Sequence, residues 1–105
     1  MQKKEQRRRQ QGSGNTKEYI LRLFITGATP NSIRALTNIK QICEEHLKGR
    51  YELEIVDVYK QLDIAEKEQL IALPLLIKKQ PLPEKRMIGD LSDVQKVLHG
   101  LGITR

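Results

Sequence analysis

Sulfur and aromatic groups are scarce in this chain. One cysteine, no tryptophan, three tyrosines and one phenylalanine stand among its 105 residues. A lone thiol excludes an internal disulfide and any cysteine-rich metal framework. No apolar run approaches the ~20 residues that a membrane-spanning helix needs. No charged-then-apolar leader marks a secretory signal. These absences point to a soluble, cytoplasmic protein. A chain of this length buries roughly two-thirds of its unfolded surface, enough for one modest core. Its 38% hydrophobic and 30% charged residues suit a single globular domain.

Acidic excess is absent too, since the formal net charge is +6. That charge is unevenly placed. Residues 1–18 hold six basic side chains against two acidic ones, whereas residues 19–105 hold 13 against 11. The leading segment has no apolar residue between Met1 and Tyr19, and it runs through Gly12-Ser13-Gly14. It cannot bury anything, so residues 1–17 are expected to form a disordered basic arm and linker, ahead of a domain at 18–105. Such an arm can attract nucleic acid electrostatically. No aromatic platform accompanies its arginines, which favours a solvated tail over a nucleic-acid site.

The remainder has a regular rhythm. Tyr19 to Thr26 is a β-rich run with one charge, as in a strand covered on both faces. Gly27-Ala28-Thr29-Pro30 ends it, with Thr29 placed to cap a helix and Pro30 at its first position. Ile33, Leu36, Ile39, Ile42, Cys43 and Leu47 then form an apolar stripe, closed by Gly49 as cap candidate. Tyr51 to Tyr59 reads as a second strand and residues 61–72 as a weaker helix. Pro74 restricts Leu73 to extended backbone. Leu75-Leu76-Ile77 opens a third strand, and Lys85 to Ile88 returns as its antiparallel partner after the turn at Pro81-Leu82-Pro83. A last helix, capped by Asp90 or Ser92, presents Val94, Val97, Leu98 and Leu101. The order β-α-β-α-β-β-α, with a right-handed crossover and a proline just before the third strand, is that of a thioredoxin-like α/β fold with a mixed sheet.

The redox chemistry of that fold needs two thiols at the N-terminus of the first helix. Here the junction reads Ala28-Thr29-Pro30-Asn31-Ser32, and Cys43 falls on the apolar stripe as a small core residue. Dithiol exchange is excluded. Capping accounts for Thr29 without invoking a hydroxyl that holds a glutathione thiolate. His46 and His99 have no second ligand three or four residues further on, as a metal site would. The aspartates show no pairing that suggests acid–base work. Gly12 and Gly14 precede a strand rather than follow one, so they form no phosphate loop. The residues offer no enzyme, metal or cofactor site.

Gly27 to Leu36 (GATPNSIRAL), Tyr51 to Val58 (YELEIVDV), Ala72-Leu73-Pro74, Arg86 to Asp93 (RMIGDLSD) and Lys96 to Leu101 (KVLHGL) together resemble the KaiB family of circadian clock proteins. The likeness spans about residues 18–101. It implies a non-enzymatic regulator that binds the KaiC-type clock ATPase and modulates its phosphorylation cycle. It also implies two folds for one sequence. One is a ground state, usually tetrameric, with a rearranged C-terminal half; the other is a monomeric thioredoxin-like state that docks on the ATPase. A sensor histidine kinase carrying a related domain is a further implied partner.

Carried over position by position, the resemblance places partner-binding cations at Arg34, Lys60, Lys85 and Arg86. It places fold-determining residues at Gly27, Pro30, Leu73, Pro74, Gly89, Asp90, Gly100 and Gly102, with a cis bond expected at Leu73–Pro74 in one state. Gly102 stands where the family typically has aspartate, and the chain stops at Arg105 without an acidic tail. Both departures are expected to favour the thioredoxin-like, monomeric state, because two packings of one sequence can differ by only a few kcal/mol. A stress-response or signalling adaptor outside a clock stays open as a second reading, and nucleic-acid binding through the arm as a third.

Overall fold

The computed structural model describes residues 17–68 and 72–103. The expected arm at 1–17 therefore lies, Lys17 excepted, outside the described residues. The elements are β1 (Tyr19–Ile25), α1 (Pro30–His46), β2 (Tyr51–Asp57), α2 (Leu62–Lys67), β3 (Leu75–Gln80), β4 (Lys85–Ile88) and α3 (Val94–Leu101). They build one four-stranded sheet in the order β2-β1-β3-β4. β1 and β2 run parallel from the Tyr19–Tyr51 pair to Ile25–Asp57, and β3 lies antiparallel to both β1 and β4. This is the mixed sheet of a thioredoxin-like fold.

Alternation along the strands sorts the side chains onto two faces. On one, Leu21, Leu23, Leu76 and Met87 pack beneath Ala35, Ile39, Ile42 and Cys43 of α1 and Val97, Leu98 and Leu101 of α3. On the other, Phe24, Val56, Leu75 and Ile77 meet the half-buried Ile64 and Ala65 of α2. The central position of β1 explains its near-continuous apolar run. Arg22, its one charge, emerges on the α2 face and reaches Glu54 at 2.8 Å and Glu68 at 3.2 Å.

Several local expectations change. α1 begins as expected, with the Thr29 hydroxyl accepting the Ser32 N–H and Pro30 in the first turn. It ends at His46 with Leu47 as cap, and Gly49 instead makes a left-handed step (φ 78°) in the following turn. Burial in α1 runs through Ser32, Ala35, Ile39, Ile42 and Cys43. Ile33 lies one residue off that line and is 52% exposed. β2 stops at Asp57 rather than Tyr59, because the Asp57 carbonyl accepts the Lys60 and Gln61 N–H groups and turns the chain. α2 is shorter than expected, and the end of the expected helix at 69–71 lies outside the described residues. The N-cap of α3 is neither Asp90 nor Ser92 but Asp93, whose carboxylate accepts the Lys96 N–H at 3.2 Å. Val94 in its first turn is exposed. Among the described residues, no helix is long and apolar enough to cross a membrane.

Candidate partner-binding surface

β1, β2 and β4 all finish at one end of the sheet, where β3 and α1 begin. The loops there gather most of the residues singled out by sequence. Gly27 turns the chain out of β1 at φ 61°, a left-handed step that glycine takes without strain. The Asp57 carboxylate accepts the Gly27 N–H at 3.3 Å and the Tyr59 N–H at 3.0 Å, so one side chain holds both loops. That turn leaves Tyr59 71% exposed, with Lys60 beside it on the surface. Ile25, Ile33, Leu36 and Lys60 line a groove of about 320 Å³ between the start of α1 and the end of β2.

At the position of the redox dithiol stand three hydroxyls. Thr29 donates to Ser32 Oγ at 2.8 Å, and Ser32 Oγ also accepts the Thr26 N–H at 3.0 Å. The cluster is internally satisfied, and Ser32 is buried. Its chemistry is that of a helix cap. Cys43 lies far along α1, fully buried, and burial pushes its thiol up to about 12, away from the reactive thiolate range.

The third loop is tied to α1. Arg34 hydrogen-bonds Asn31 and lies 3.4 Å from an Asp90 oxygen. The Asn38 amide donates to the Asp90 carbonyl at 2.8 Å. Hydrogen bonds from Ser92, and then the nearby Arg34 charge, hold the Asp90 carboxyl below its ordinary range. The Leu73–Pro74 bond is cis, and the Pro74 carbonyl accepts the Gly89 N–H at 3.0 Å. Pro30, Leu73 and Pro74 line a second groove, of about 420 Å³, with Thr26, Thr29 and Asn31.

The structure thus brings Gly27, Pro30, Arg34, Lys60, Leu73, Pro74, Gly89 and Asp90 to one end, but not the remaining four. Lys85 and Arg86 alternate on β4 and point to opposite faces. Arg86 is held on the α2 face by Glu68, donating to its carbonyl at 2.8 Å and lying 3.5 Å from its carboxylate. Lys85 is paired in register with Lys78. Gly100 faces Met87 so closely that an added Cβ would meet its sulfur at 2.6 Å. Gly102 caps α3 at φ 82°, with Lys78 Nζ 3.9 Å from where its Cβ would lie.

Two groups went unread in the sequence. Glu68 gathers Lys79, Arg22 and Arg86 at 2.8, 3.2 and 3.5 Å. The Lys79 hydrogen bond, with the charges of all three, holds its carboxyl below the ordinary range. Lys78 is only 3% exposed, and burial together with Lys85 lowers its pKa. Alternation carried the second signal: Lys78 is in phase with Leu76, on the face beneath α1 and α3. No local pattern carried the first, because its partners come from three strands.

The fold defines a thioredoxin-like domain with hydroxyls where the dithiol would stand. A KaiB domain family model matches residues 22–103. The circadian clock oscillator protein KaiB of Prochlorococcus marinus subsp. pastoris is 51% identical over 87 residues, covering 83% of this chain and 81% of that one. The corresponding protein of Synechococcus elongatus is 49% identical over 87 residues, covering 83% and 85%. The chain belongs to the KaiB family of circadian clock proteins. Among solved structures, the N-terminal domain of Synechococcus elongatus SasA superposes with a TM-score of 0.67 at 21% identity, covering 91% of this chain and 94% of that one. Mitochondrial thioredoxin 3 of Saccharomyces cerevisiae gives 0.67 at 12% identity, covering 84% and 80%. At those identities the likeness is one of fold.

Proposed function

We propose that this protein acts in a circadian oscillator as a non-enzymatic, cytoplasmic regulator that docks on a KaiC-type ATPase and modulates its phosphorylation cycle. The observation that carries the docking reading is the loop surface, where Ile33 and Tyr59 stand exposed beside Arg34 and Lys60. Exposed apolar groups with two cations beside them suit an acidic protein partner: the apolar groups supply affinity, and the charges speed encounter. Arg34 and Lys60 face the partner directly. Arg86, held by Glu68, and Lys85 extend the positive field along the β4 edge. The thioredoxin-like monomer is the docking form, and Gly102 favours it because its backbone there is left-handed.

The test is co-elution of the purified full chain with a KaiC-type ATPase, read together with the ATPase's phosphorylation time course. The expected result is a stable complex and an altered time course. Absence of a complex, with the ATPase shown to be active, overturns the reading.

A further inference from the structure

The two edges of the sheet are guarded unequally. β4 is four residues long, follows Pro81 and Pro83, and carries Lys85 and Arg86. Short length, proline and cations all keep an edge from pairing. β2, the other edge, has seven residues, no proline and no cation, and keeps an unbroken register with β1. Glu52 and Glu54 stand exposed on it, alternating with half-buried Tyr51, Leu53 and Ile55. Glu54 keeps one oxygen on Arg22 at 2.8 Å. A second copy docked edge to edge would set these glutamates against their equivalents, which is destabilising. The occupant that fits is an extended basic segment.

The chain itself contains one. Lys3, Lys4, Arg7, Arg8 and Arg9 stand against the single acid Glu5 within residues 2–11. The segment joins the fold beside this edge: Lys17 Nζ donates to the Gly49 carbonyl at 3.4 Å, and the Tyr19 N–H to the Arg50 carbonyl at 2.9 Å. From β1 to the outer side of β2 is two strand spacings, about 10 Å. The link Gly12–Lys17 reaches up to about 20 Å. We propose that the basic N-terminal segment of the same chain lies antiparallel along the outer edge of β2, with its cations against Glu52 and Glu54. The tether makes the pairing intramolecular and so raises its effective concentration. The edge is thereby sealed and the cations are withheld from other anions.

The experiment is NMR amide hydrogen exchange across β2 in the full chain, compared with the full-length variant Arg7→Glu/Arg8→Glu/Arg9→Glu. The expected result is that the β2 amides not bonded to β1 exchange at least tenfold faster in the variant, and that raised salt removes the difference. Adding Glu52→Lys and Glu54→Lys to the variant should restore protection, since the charges are then exchanged. Equal exchange in the full chain and the variant overturns the proposal. So does protection that rises with protein concentration, which would mark a second copy, or protection that needs added RNA.

Discussion

The two faces of the sheet are closed by different forces. Beneath α1 and α3 the closure is apolar, with Leu23, Ala35, Ile39 and Leu101 fully buried. Beneath α2 a smaller cluster around Phe24 and Ile77 gives way to charge, and Glu68 draws cations from β1, β3 and β4 onto the end of a six-residue helix. Packing of apolar side chains is itself indifferent to pH. Ion pairing is not. One layer is therefore largely fixed, Lys78 excepted, and the other responsive, and the proposed docking surface spans both: Ile33 and Arg34 belong to α1, Tyr59 and Lys60 to the turn that leads into α2.

Truncation should expose the difference most plainly. Ile39→Ala, at a fully buried site under α1, should cost about 3 kcal/mol. Ile64→Ala, at a half-buried site on α2, should cost about 1 kcal/mol. Urea denaturation measures both, and equal losses would erase the contrast between the layers. Glu68→Gln comes next, with an expected loss of about 2 kcal/mol at neutral pH, because three cations lose their carboxylate. The sign of the pH effect follows from the lowered Glu68 pKa. Its stabilisation is whole above the ordinary glutamate value, about 4.3, and fades as pH falls through the depressed folded value. Denaturation between pH 7 and pH 3 should show a shallower acid slope in the variant than in the wild type.

Lys78→Met should act in the opposite direction. A lysine whose residue is only 3% exposed, on the face beneath α1 and α3, is replaced by an apolar chain of similar length, for an expected gain of about 1 kcal/mol. Because burial and Lys85 lower the Lys78 pKa, the unfolded state binds the proton more tightly. Wild-type stability should therefore rise with pH from the depressed value toward the ordinary one, about 10.4, and the variant should lose that rise. The smallest effect is expected for Gly102→Asp. Its left-handed backbone costs about 1 kcal/mol, partly offset by Lys78 nearby. The same change in the Lys78→Met background should cost more.

Much of this architecture was legible in the sequence because it is periodic or local. The Thr29-Pro30 start of α1, the β3–β4 return and the position of Cys43 all follow from short-range pattern. The errors share a cause. Ile33 and Val94 carry apolar side chains in the first turns of their helices, and only the assembled fold shows them exposed. Asp93 displaced Asp90 as cap because Asp90 is engaged with α1 through Arg34 and Asn38. Glu68 was invisible because its partners are distant in sequence. Of the proposed binding cations, the fold joins Arg34 and Lys60 at one end and sets Lys85 and Arg86 apart, a division that no linear spacing encodes.

The most direct test is a binding titration of a KaiC-type ATPase with the full chain and with Ile33→Asp/Tyr59→Ala. Both side chains are exposed, so the substitutions should leave the denaturation midpoint nearly unchanged. Loss of two apolar contacts at the centre of an interface is expected to weaken binding by roughly 30-fold or more. Unaltered affinity in the variant, with the wild type binding, would contradict the assignment of this surface.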